Sequence, residues 1–181
     1  MISKKSGLMT GKLLKRICVI SFCALLISLP GCRDTDLIKS SYQATDGLIE
    51  QTLPPLIPNQ TILIASFVNI DDLEESSTFG RTIAEYVGAR FTQQGFKVVE
   101  MKLRRSVFMK KSAGEFLLSR ELHNLSTRHK TQAIVVGTYS VAKDVVYISA
   151  RIINLGDNTA MSSYSYKLSI GDNIKQMLGL F

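Results

Sequence analysis

The feature that most constrains this chain is a break at Leu29-Pro30-Gly31-Cys32, because it decides how much of the sequence has to fold. Lys4, Lys5, Lys12, Lys15 and Arg16 open the chain without an intervening acid, and Ile17 to Leu29 forms an apolar run of 13 residues. A membrane-spanning helix needs about 20 such residues. A basic segment, a short apolar run and a small residue before the break read instead as a cleaved export signal over 1–31. What must fold is then the 150 residues from Cys32 onward, the size of one ordinary domain.

The break also resets charge and cysteine chemistry. Five of the 22 basic side chains precede Cys32 and all 15 acidic ones follow it, so the exported part is only +2. The pI of about 9.4 belongs mostly to the signal and is no footprint for nucleic acid. Cys18 and Cys23 leave with the signal. With Cys32 modified, no thiol remains for a disulfide, a nucleophile or a metal, and the domain must rely on its apolar core. The tetrapeptide resembles the lipobox of bacterial lipoproteins, which implies a lipid anchor on Cys32. Residues 32–39 are then expected as a lipidated tether and 40–181 as a single domain. Arg33 in second place, rather than Asp, implies delivery to the outer membrane with the domain on its periplasmic side.

Hydrophobic spacing gives the order of elements. Leu37, Ile38, Leu48, Ile49 and Leu53 recur near helical period and predict a helix over 37–53, stopped by Pro54 and Pro55. Thr61 to Val68 is apolar and β-branched with little alternation, as in a central strand covered on both faces. Ser76 or Ser77 is placed to cap a helix carrying Phe79, Ile83, Val87 and Phe91, ended by Gln93-Gln94-Gly95. Phe96 to Met101 predicts a strand parallel to the first, by the β-α-β rule. Leu118, Leu122 and Leu125 predict a helix over 115–126, and Ala133 to Tyr139 a buried strand. Two alternating strands follow, with Val146, Ile148, Ala150 and Ile152 on one face of the first and Ala160, Tyr164, Tyr166 and Leu168 on one face of the second. Short turns at 142–144 and 156–158 make them antiparallel, and a short helix is expected over 172–179. The fold class is α/β: one mixed sheet with helices packed on it, β-α-β-α-β and two antiparallel hairpin strands behind an N-terminal helix.

Chemistry is sparse. His123 and His129 have no i, i+4 relation and no cysteine or carboxylate completes a metal cluster. There is no Gly-x-Ser-x-Gly motif. The acids Asp71, Asp72, Glu74 and Glu75 do not match the alternating calcium-loop pattern, and an acidic stretch before a helix N-terminus has its own electrostatic reason. Lys97, Lys102, Arg104, Arg105, Lys110 and Lys111 form a basic stretch over 97–111 that suits either a solvated strand edge or an acidic partner. Tyr139, Tyr147, Tyr164 and Tyr166 in the last strands fit cross-strand pairing better than a binding face. No catalytic residue, cofactor or metal is expected.

The motifs nevertheless resemble a family. Residues 62–101, with Phe67, Val68, Asn69, Leu73, Ser76, Ser77, Phe79, Gly80 and Arg81, are similar to the FlgO family of flagellum-associated outer-membrane lipoproteins. So are the stretches at 114–122, 137–141 and 147–155, and the likeness runs over about 40–168. The resemblance implies a non-enzymatic role in assembly, anchoring or output of the flagellum, and a fold related to the TolB amino-terminal domain and CsgG-like lipoproteins. It implies as partners the outer membrane, through the anchor, and other flagellar or envelope proteins, with homo-oligomerisation left open. Asn69, Ser76, Ser77, Phe79, Gly80, Arg81, Arg120 and Arg151 serve either partner binding or structure; the arginines suit pairing with Asp71, Asp72 or Glu115. The competing reading is a periplasmic regulatory lipoprotein, an LpoB-like activator of a cell-wall synthase.

Overall fold

The computed structural model describes residues 36–73, 76–101, 108–110, 116–118 and 127–180. Helix α1 (Leu37–Gln51) starts where the Asp36 carboxylate accepts the Lys39 N–H at 3.0 Å, and its last turn is closed by Thr52. Strand β1 (Thr61–Ala65) and the two-residue β2 (Val68–Asn69) are followed by α2 (Thr78–Gln93) and β3 (Lys97–Met101). Then come the short β4 (Phe108–Lys110) and β5 (Phe116–Leu118), and the long β6 (Thr131–Val141), β7 (Val145–Asn154) and β8 (Ala160–Ser169). The seven-residue α3 (Asp172–Leu178) ends them.

The main sheet runs β3-β1-β6-β7-β8, with β2 continuing along β6. β1 is parallel to both β3 and β6, whereas β7 and β8 are antiparallel additions. The expected single mixed sheet with an N-terminal helix and a C-terminal hairpin is the observed architecture. A near-continuous apolar run suits β1 because it is central and covered on both sides: Ile62 and Ile64 join the helix-side core, Leu63 and Ala65 a smaller cluster with Ile134 and Val136. α2 buries Phe79, Ile83, Val87 and Phe91 on the helix side, and α1 lies over β8 and beside α2. Val146, Ile148, Ala150 and Ile152 point into that core as their alternation requires.

Three local expectations differ. The helix over 115–126 is not present at Phe116–Leu118, which is a strand paired with Phe108–Lys110 in a separate two-stranded sheet. A three-residue apolar run fits either period, and backbone bonds to 108–110 decide it. The remainder of that segment, with His123, lies outside the described residues. The 61–68 strand is interrupted before Val68. Ala160 is exposed, because a register shift between Ile152 and Ile153 brings Ser162 rather than Ala160 into the buried row.

Candidate functional site

The interruption in β1 explains the motif that follows it. Ile64 pairs with Val135 and Val68 with Thr138, so three residues (65–67) stand against two (136–137). The extra residue is a bulge, and it rolls Phe67 into the helix-side core, where it is fully buried. A bulged residue loses its ladder partners, and buried backbone groups need others. The Phe67 N–H donates to the Gly80 carbonyl at 3.2 Å, and the Ser76 hydroxyl donates to the Phe67 carbonyl at 3.0 Å.

The glycines are the counterpart of this packing. A Cβ on Gly80 would lie 2.0 Å from the Phe67 carbonyl oxygen, and one on Gly137 2.1 Å from the Phe67 ring. Ser77 is the cap of α2: its Oγ accepts the Gly80 N–H at 3.2 Å and the Tyr139 hydroxyl at 2.7 Å. The Tyr139 ring meets Phe79 edge to face, with centroids 5.3 Å apart. Asn69 turns the chain out of β2: its side-chain oxygen accepts the Asp71 N–H at 3.1 Å. Asn69, Ser76, Ser77, Phe79 and Gly80 are thus brought together at one end of the sheet, and their polar groups are engaged within the fold.

The arginines part company. Arg81 donates to the Ser76 carbonyl and to the Thr78 hydroxyl rather than pairing with Asp71. Arg151 stands exposed on the outward face of β7, opposite Val136 and Ser163. Arg120 and Cys32 lie outside the described residues. So do Glu74 and Glu75 and, of the 97–111 basic stretch, Lys102, Arg104, Arg105 and Lys111.

The arginine that bridges two elements is one the sequence did not single out. Arg90 of α2 donates twice to the Asp46 carboxylate of α1, at 2.8 Å each, and Gln94 adds a third bond at 3.0 Å. The guanidinium also lies 5.5 Å from the Tyr42 ring centre. These Arg90 hydrogen bonds hold the Asp46 carboxyl below its usual range. Thr159 does the same to Asp157 in the β7–β8 turn. Burial pushes the Tyr166 phenol up to about 12. None of these groups forms an acid–base pair, and no metal-ligating cluster occurs among the described residues. His129 is exposed. On the outward face, a shallow cavity of about 380 Å³ is lined by Ile70, Thr138, Ser140, Tyr147, Ser149 and Lys167.

Comparison with family models gives one match, to the FlgO protein family, over residues 42–173. The chain belongs to the FlgO family. This FlgO domain is accordingly a non-enzymatic one of the outer membrane and periplasm, and among its described residues no helix is long and apolar enough to cross a membrane. A comparison with curated proteins found no match. Among solved structures, the LpoB C-terminal domain from Salmonella enterica is similar at TM-score 0.52 and 9% identity, covering 73% of this chain and 97% of that one. LpoB from E. coli matches at TM-score 0.52 and 10% identity, covering 78% of this chain and 72% of that one. A PelC dodecamer from Paraburkholderia phytofirmans has TM-score 0.43 and 9% identity, covering 64% and 75%. The likeness to LpoB establishes a shared fold for the FlgO domain.

Proposed function

We propose that the chain is a lipid-anchored interaction module of the cell envelope, acting through surface contacts with a protein partner. The observation that carries this reading is the way the family motif is used. Ser76, Ser77, Phe79 and Gly80 are engaged in holding the Phe67 bulge and capping α2, so the residues that carry the family resemblance are occupied in building the fold.

Family membership supports the flagellar apparatus as the setting. The LpoB fold, matched over nearly all of the solved C-terminal domain, supports a regulatory module that contacts an envelope enzyme. The shared architecture favours the regulatory kind of action, and the two readings part on phenotype. Deletion of the gene is expected to disturb flagellar number or motility with cell-wall cross-linking unchanged. Normal motility with altered cross-linking would leave the LpoB-like reading standing instead.

Cys32 is the proposed attachment point, with the signal at 1–31 removed. Several acyl chains at about 0.8 kcal/mol per buried methylene hold far more firmly than one. Labelled palmitate is expected in the wild-type protein and absent from Cys32→Ala, which is also expected to leave the membrane fraction. A labelled, sedimenting Cys32→Ala protein would remove the anchor. Residues 33–36 are all that separates Cys32 from the start of α1, a reach of at most about 14 Å.

A further inference from the structure

The end of the sheet remote from Asp36 carries a feature that neither the motif nor the family reading uses. α1 runs antiparallel to β8: Gly47 packs under Tyr164, Thr52 meets Ser162 at 3.0 Å, and the Leu53 N–H reaches the Met161 carbonyl. Leu53 to Pro58, the sequence Leu-Pro-Pro-Leu-Ile-Pro, therefore emerges at the amino-terminal ends of β1, β6 and β8. Only Leu56 of the six is buried. Leu53 is 74% exposed, the highest value among the large hydrophobic residues exposed on the described surface, and Ile57 is 55% exposed.

This loop is held in shape. Gln132 clamps Ile57 through both backbone groups: its side-chain oxygen accepts the Ile57 N–H at 2.9 Å and its amide donates to the Ile57 carbonyl at 3.0 Å. The Asn59 N–H reaches the Gly95 carbonyl and the Lys97 N–H the Gln60 carbonyl, both at 3.2 Å. Cations stand around it. Lys97 opens β3 beside Thr61, and Arg128 and Lys130 lead into β6 on the other side. All three are exposed, and the ion pairs among the described residues involve none of them. Of the acids at this end of the fold, Glu50 lies in the last turn of α1, while Asp157 in the β7–β8 turn is occupied by Thr159.

We propose that the 53–58 loop is a preformed docking tip for a protein whose complementary surface is an apolar pocket with an acidic rim. Two large apolar side chains kept in water by a rigid backbone bind with little ordering cost, the condition for an interface anchor. The lysines and arginine select a negative rim. The choice of protein over bilayer rests on the anchor reading. Asp36 and Leu53 lie at opposite ends of a helix of about 22 Å, and Asp36 is the end within reach of Cys32.

The test uses the full-length chain in its own cells, with a photo-crosslinking amino acid placed at Ile57 or, as a control, at Tyr147. Expected at Ile57 is one discrete adduct with a different protein. It should fall at least about tenfold when Lys97, Arg128 and Lys130 are replaced by Glu, or when Leu53→Asp is introduced, while the unfolding temperature stays unchanged. An adduct of two copies of the chain, a lipid adduct, an adduct equally strong at Tyr147, one indifferent to charge reversal, or none at all would overturn the docking tip. Palmitate labelling of Cys32→Ala judges the anchor separately, so the failure of one reading is distinguishable from the failure of the other.

Discussion

The two ends of the main sheet are built on opposite plans. At the carboxyl end of β1, the residues that carry the family resemblance turn inward: Phe67 is buried, the Ser76 hydroxyl donates to its carbonyl, and Ser77 receives the Gly80 N–H and the Tyr139 hydroxyl. At the amino end, the 53–58 loop has no special motif; it buries Leu56 and turns Leu53 and Ile57 outward. A strong sequence signature here marks a position that is hard to build, whereas the surface offered to a partner is marked by the exposure of ordinary residues. The same distinction holds on α2, where Phe79 and Gly80 are buried and Arg81 is exposed.

Substitutions at the two ends should separate the plans. The largest effect is expected from Phe67→Ala, which empties a fully buried site beneath Gly137 and should cost about 3–5 kcal/mol in urea unfolding. A cost below about 1 kcal/mol would mean that the bulge collapses without consequence and would break the comparison. Gly80→Ala comes next, at about 1–3 kcal/mol, because the new methyl meets a carbonyl oxygen rather than a movable side chain. Ser77→Ala removes the α2 cap and the acceptor of the Tyr139 hydroxyl, for about 1 kcal/mol. Tyr139→Phe combined with it should add less than the sum of the two single changes, since they share one bond.

The Asp46–Arg90 bridge between the helices should give a smaller, pH-dependent effect. The Asp46 pKa is lowered on folding, chiefly by the Arg90 hydrogen bonds. Its contribution is therefore present above the unfolded carboxylate range and lost as pH falls through the lower folded value. Asp46→Asn should melt earlier than wild type at neutral pH, and the two curves should converge in acid. Divergence in acid would reverse the sign. The smallest effect belongs to the opposite end: Leu53→Ser and Ile57→Ser should leave the unfolding free energy within about 0.5 kcal/mol, because both side chains are more than half exposed.

Much of the architecture was legible because long periodic segments leave little choice. The α2 stripe, the alternation of β7 and the turns at 142–144 and 156–158 each follow from a period that only one element satisfies. The short pieces were not legible. Phe116–Leu118 suits a helix as well as a strand until it meets Phe108–Lys110. The bulge at Phe67 is hidden in a run that is apolar at all but Thr61 and Ser66 and has no alternation to break. For the same reason the motif could be recognised but not explained: the partners that give it meaning, Gly137 and Tyr139, lie some 60 residues further on. Pro54 and Pro55 marked only where α1 must stop. What they hold out to solvent depends on Gln132, a contact across 75 residues of chain.

The place of β1 between β3 and β6 has a consequence for a chain that emerges amino end first. Residues 61–101 complete the β1–α2–β3 unit while one edge of β1 is still bare, because its other neighbour begins seventy residues after it, at Thr131. Until that strand arrives, Phe67 has no Gly137 to lie against and Ser77 no tyrosine to receive. Closing so distant a contact is slow compared with local structure. A chain emerging in that order carries an open β-edge until its last strands arrive, and an unpaired edge is a template for aggregation.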